Sequence, residues 1–183
     1  MTELQTRCLD AFPEWLRELA QDARGLAALV ENTALPDPAR RQCTVALNYL
    51  FKSLDLIPDG IEDLGFIDDA FVFRVAAAGA LESNTAAREV DFAGTLSRLA
   101  KQNELVREFM DEDYGRLAVY VRGLESMVVR GRSVDDVLDN DEARAELLRE
   151  VQGWAEGYRA PAFARDEKNL VKLRSFLGAK LPT

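Results

Sequence analysis

The sequence predicts an all-α protein, a compact bundle of about six to eight helices, on three observations. Apolar residues recur at spacings of three and four in segment after segment, as in Trp15, Leu16, Leu19, Ala23, Leu26, Ala27 and Val30. No β-branched run alternates with polar residues over a useful length, so no strand is expected. Ala, Leu, Arg and Glu dominate, and these residues favour helix. With 183 residues, long enough to bury a real core, the chain reads as one helical domain over 1–183. Within it a core over about 40–82 is followed by a helical extension over about 84–183.

The elements follow in order. Residues 3–11 read as a short helix bearing Leu4 and Cys8, and Pro13 sits in the first turn of a stronger one. That second helix turns the Trp15 to Val30 stripe inward and Arg17, Glu18, Asp22 and Arg24 mostly outward. Residues 32–38 form a loop. Asp37 as N-cap and Pro38 at the first helical position open a helix bearing Val45, Ala46, Tyr49 and Leu50, which stops near Ser53. After a break with capping chemistry at Glu82, Ser83, Asn84 and Thr85, residues 86–101 form the next helix, with Gln102-Asn103 as a break or kink. Asp111, Glu112 and Asp113 open a helix carrying Leu117, Tyr120, Val121, Leu124, Met127 and Val128, ended by Arg130-Gly131. Ser133 with Asp136 reads as a capping box, and Asn140 caps a helix facing inward through Leu147, Leu148, Val151, Trp154, Ala155 and Tyr158. Asp166 caps a last helix with Leu170, Leu173, Phe176 and Leu177, stopped by Gly178.

The stretch joining the two central helices is unusual. Between Leu54 and Ile67, the apolar residues Leu54, Leu56, Ile57, Ile61, Leu64, Phe66 and Ile67 alternate loosely with Asp55, Asp59, Glu62, Asp63, Asp68 and Asp69. This is too apolar for a solvated loop. It reads as an irregular buried acidic turn, its carboxylates directed at backbone donors or at one another, with Gly60 and Gly65 allowing sharp bends. Asp68 and Asp69 then open a helix to Leu81, where acids meet the positive end of the helix dipole. Tyr49, Leu50, Ser53, Asp55, Leu56, Ile57, Pro58, Asp59, Ile61, Gly65, Asp68 and Asp69 together form a pattern, D-L-I-P-D followed by G-x-x-D-D. The pattern resembles the core of the YkvA-like domain of unknown function. Leu54 and Glu62 stand where that family commonly has proline, and Asp63 stands at a place often apolar, which makes this linker more acidic and less rigid. The resemblance implies a domain and no activity.

Composition excludes several functions. The net charge of −9 without a Lys/Arg cluster speaks against nucleic-acid binding. The absence of histidine removes Ser-His-Asp and Cys-His mechanisms and His-containing zinc sites. Cys8 and Cys43 form no C-x-x-C pair and read as reduced, buried thiols. No secretory signal and no spanning helix is expected, which points to the cytoplasm.

Three features are candidate sites. Asp55, Asp59, Asp68 and Asp69 are carboxylates suited to Mg²⁺ or Ca²⁺, hard cations that take oxygen ligands; the alternative is that each caps a local turn or helix start. Asp135, Asp136 and Asp139 form D-D-x-x-D, similar to the Mg²⁺-holding motif of the all-helical isoprenoid synthases, but they lie among capping residues. The faces of residues 117–128 and 170–177 offer surfaces for a protein partner or self-association. No catalytic residue and no organic cofactor is expected. A non-enzymatic binding or scaffold module needs nothing more than is visible. A cation-binding protein, or a cation-dependent enzyme, needs the four aspartates to converge.

Overall fold

The computed structural model describes residues 1–61, 63–82, 84–91 and 93–183, and the capping expected of Ser83 and any part played by Glu62 lie outside them. Helix α3 (Ile67–Glu82) is the axis of the all-helical bundle. Residues 67–78 are buried on every side, as suits a helix surrounded by others. Helix α2 (Asp37–Tyr49) packs along one side of it and α5 (Thr95–Met110) along another, while α1 (Glu3–Glu31) crosses all three. α8 (Asp141–Gly157) and α9 (Glu167–Lys180) lie on the outside of α1. The shorter α4 (Ala86–Val90), α6 (Tyr114–Gly123) and α7 (Val134–Asp139) complete the order. Among the described residues there is no strand, only an isolated bridge between Val129 and Arg132. None of their helices is long and apolar enough to cross a membrane. One hydrophobic cluster runs from Cys8 to Leu181.

Several boundaries differ from the sequence reading. α1 is one helix through Pro13. Proline removes one backbone bond inside a helix, at a cost of about 3 kcal/mol. Here Cys8, Leu9 and Phe12 share the buried stripe of Trp15, Leu16 and Leu19, and the Phe12 ring lies 5.2 Å from both Phe71 and Phe109. Burying that continuous stripe offsets the lost bond. α2 begins one residue early: Pro36 is the N-cap and Asp37 caps nothing, lying instead 3.5 Å from the Arg40 guanidinium. The helix expected over 86–101 is cut in two. Asp91 accepts from the N–H groups of Leu96 (3.2 Å) and Ser97 (3.0 Å), and so starts α5 afresh. α5 then runs unbroken through Asn103, whose side-chain N–H donates to the Tyr114 hydroxyl at 2.7 Å. α6 stops at Gly123, and the stripe expected to continue it dissolves into a 3-10 turn (Leu124–Ser126) and extended chain. Arg130 (φ 51°) and Gly131 (φ 77°) form a tight turn closed by Val129 and Arg132, which exchange two backbone bonds of 2.9 and 3.0 Å. The caps by Ser133 with Asp136, by Asn140 and by Asp166 form as expected. Cys8 and Cys43 are free and buried, and burial pushes both thiols up to about 12, far from a reactive range.

Asp22, expected on the outer face of α1, is fully buried. Its carboxylate is 2.6 Å from Arg98 and 3.5 Å from Arg74. Arg74 is itself 0% exposed in α3, donates to its own Ala70 carbonyl at 2.9 Å, and lies 4.0 Å from the centre of the Trp15 ring. Burial pulls the Arg74 pKa down and the Asp22 charge opposes the fall. The pair pins α1 to α3, because either charge alone in that position is unsolvated. Arg74→Ala is therefore expected to lower unfolding stability by about 3–5 kcal/mol in urea titrations, whereas Arg159→Ala, on the exposed surface, stays within about 0.5 kcal/mol of the parent.

Candidate functional site

The acidic linker is built from the end of α2. The N–H groups of Leu50, Phe51 and Lys52 bond back to the carbonyls of Leu47, Asn48 and Tyr49 at 3.1–3.2 Å, which winds the last turn tight. The chain leaves with Leu54 outward, 79% exposed, contrary to its expected burial. Leu56 and Ile57 then turn back into the core. Pro58 accepts from the Ile61 N–H at 3.0 Å, and Ile61 accepts from Gly65 at 2.9 Å, folding the linker into consecutive turns. A Cβ on Gly65 would lie 2.4 Å from the Asp59 carbonyl oxygen, so only glycine lets these turns close. Gly60 is neither crowded nor in a left-handed conformation. Phe66 takes the left-handed conformation instead, at φ 66°, a geometry costing about 1–3 kcal/mol. Its ring meets Tyr158 at 5.3 Å and Trp154 at 6.0 Å, contacts that hold it there.

The Asp68 carboxylate bonds well beyond its own turn. Asp68 Oδ2 accepts from the Tyr49 hydroxyl at 2.6 Å and from the Ile57 N–H at 3.1 Å. The Tyr49 hydroxyl in turn accepts from the Leu56 N–H at 2.9 Å. One tyrosine oxygen and one carboxylate thus join α2, the linker and α3. The Ile57 N–H, two residues past Asp55, goes to Asp68, eleven positions on. Asp55 Oδ1, Asp68 Oδ1 and Asp69 Oδ2 are out of solvent with no hydrogen-bond partner among the described residues. Asp68 and Asp69 are 0% and 2% exposed, Asp55 is half-buried, and Asp59 stands exposed at the edge.

Burial raises the whole set. Asp69 is driven far up by burial and then by the charges of Asp68, Asp59 and Asp55. Asp68 is raised by burial, against the pull of the Tyr49 and Ile57 bonds. Asp55 is pushed up to about 7 by burial, then by Asp68 and Asp59, with Lys52 opposing. Burial and Asp68 also hold the Tyr49 hydroxyl protonated, hence a donor, and burial pushes Tyr120 up to about 12. Lys52 lies 5.9 Å from the ring centres of both Tyr49 and Tyr120. It forms no ion pair with a described residue. Among the described residues, no three acidic or cysteine side chains stand close enough to hold one metal ion.

Beside the linker lies an open cleft of about 610 Å³, lined by residues 50–54, Asp59 and residues 127–130. The other candidates disperse. Asp136 closes the cap of α7, and Asp135 is hydrogen-bonded to Arg41 on α2, so two of the three acids of D-D-x-x-D are already engaged. Leu117, Val121, Leu124, Leu170, Leu173 and Leu177 are buried, so the expected partner faces are mostly core. Sequence reasoning missed the Tyr49 hydroxyl, taken as part of an apolar face. The signals were a tyrosine, not a phenylalanine, just ahead of an acidic turn, and its place in the pattern with Asp55, Asp59, Asp68 and Asp69.

Residues 40–74 match the model of a family described as a protein of unknown function, DUF1232. The matched stretch covers most of α2, the whole linker and the first half of α3, and so contains the Tyr49–Asp68 network. No curated protein and no solved structure matches the chain.

The raised carboxyls give stability a definite pH dependence. Asp55 in the fold binds a proton up to about pH 7, whereas in the unfolded chain it releases it near the ordinary carboxylate value of 3.8. Its contribution is fully present below that value and is lost as pH rises through about 7. Thermal melts are expected to show Tm falling across this window. Asp55→Asn is expected to flatten the fall and to be the more stable protein at about pH 8; parallel curves would contradict the assignment.

Proposed function

We propose that the chain is a non-enzymatic binding module, a single helical domain built on a YkvA-like core over about 40–82 with a helical extension over about 84–183, working in the cytoplasm. The observation that carries this reading is the cleft beside the linker. Leu54 (79% exposed) and Val128 (64% exposed) border it from its two walls, next to Phe51 and Met127. Single exposed apolar residues are ordinary on a protein surface, but two lining one concave site offer an anchor for a partner's apolar side chain. One wall belongs to the segment matched by the family model and the other to the chain beyond it. The absence of a Gly-rich phosphate loop or nucleophile motif in the sequence supports binding over catalysis. Phage-displayed random peptides selected on the wild-type protein are expected to bind a Leu54→Glu/Val128→Glu variant at least about tenfold more weakly. Selected peptides that bind both proteins equally, or a selection that yields none, would remove this reading.

A second reading has its own support in the three buried, unpartnered carboxylate oxygens of Asp55, Asp68 and Asp69. These side chains do not converge as they stand, so a Mg²⁺ or Ca²⁺ ion, which takes oxygen ligands, would have to draw them and Asp59 together. The chain would then be a cation-binding protein, or a cation-dependent enzyme. Millimolar Mg²⁺ or Ca²⁺ is expected in that case to raise Tm, through preferential binding to the folded state, and Asp69→Asn to abolish the rise. An unchanged Tm would eliminate the cation and leave the cleft untouched.

A further inference from the structure

We infer that the occupant of the cleft is an acidic, apolar segment of a partner protein, one that sets a carboxylate side chain beside a bulky aliphatic or aromatic one. The inference rests on the reading of the cleft as a docking surface and adds the chemistry of what docks there. The chain carries a net charge of −9, yet the charged groups lining the cleft are Lys52 and Arg130 against Asp59 alone. Lys52 forms no ion pair with a described residue; its charge acts on the Asp55 carboxyl, which burial pushes up to about 7, and its nitrogen lies 5.9 Å from the centres of the Tyr49 and Tyr120 rings. Contacts of that kind are weak at a partly solvated site, so the ammonium keeps N–H donors for a partner's carboxylate. Arg130 lies over the Phe51 ring, 4.6 Å from its centre, with Glu150 at 3.4 Å. A guanidinium has five N–H donors, and pairing with one carboxylate leaves most of them open.

The wall that carries Arg130 is stiff. Its tight turn is closed by two backbone bonds between Val129 and Arg132, and Arg132 is in turn hydrogen-bonded to Glu150 on α8. A wall already held in shape loses little freedom when a partner binds. The overall acidity of the chain acts against an acidic partner at a distance. Screening limits such effects to about 8 Å at physiological salt, so within the cleft the contact charges of Lys52 and Arg130 decide. A basic segment would instead be repelled by both cations.

The test is a double-mutant cycle on peptides selected against the wild-type protein. Their sequences are expected to be enriched in Asp and Glu beside Leu, Phe or Trp. Changing the acid of one such peptide to Gln is expected to weaken binding to wild type about tenfold. The same change is expected to leave binding to Lys52→Gln nearly unaltered, because the two groups act on each other. Both Lys52 and Leu54 reach the surface, so neither variant threatens the fold, and circular dichroism checks this. Peptides that depend on Leu54 but show no acid preference and no coupling to Lys52 would overturn the inference while keeping the docking surface. Peptides indifferent to Leu54 would remove the docking surface itself. Concentration-dependent dimerisation that Lys52→Glu dissolves would make the occupant a second copy of this chain and would equally overturn the inference.

Discussion

The structure depends on one hydroxyl. Tyr49 donates to Asp68 and accepts from Leu56, while Asp68 also takes the Ile57 N–H. Two backbone donors of an irregular, buried linker are satisfied in this way by side chains from the helices on either side. An unpaired buried donor costs about 1–3 kcal/mol, so without this arrangement the linker has no reason to enter the core. Leu56, Ile57, Leu64 and Ile67 are buried because these polar groups are answered.

The same arrangement creates the electrostatic problem at the centre of the molecule. A carboxylate placed to receive two donors brings Asp69 in beside it, and the turn that buries Ile57 brings Asp55 close as well. Among the described residues no arginine forms an ion pair with this group. The buried guanidinium of α3, Arg74, points to Asp22 on α1 and serves the other side of the helix. α3 therefore carries a paired charge on one side and a group of unneutralised acids at its start, and burial moves those acids toward neutrality.

The cleft follows from the linker's path. Before Leu56 can turn inward the chain must reverse, and the reversal leaves Leu54 at the surface. Across from it, α6 ends at Gly123, so the remaining apolar residues of its stripe, Met127 and Val128, are carried by extended chain into the opposite wall. The two irregular segments meet where Arg130 lies over Phe51, leave a gap beside that contact, and both keep apolar side chains at its rim.

The helical class, the capping residues Ser133, Asn140 and Asp166, and the position of α3 were legible in the residues alone, because caps and helical periodicity are set by neighbours three or four positions away. The crossing of the acidic linker through the core was legible too, from its excess of apolar residues. What the carboxylates do was not. Asp68 meets Tyr49 from nineteen positions away, Asp22 meets Arg74 from fifty-two, and Asp91 caps a helix that local periodicity runs straight through. Pro13 likewise breaks nothing, since the aromatic packing of Phe12 on α3 and α5 outweighs a local preference. Local sequence determined which segments coil and where they are capped; the tertiary structure alone decided which charges are buried and which apolar residues stay exposed, because solvation depends on what the rest of the chain brings alongside.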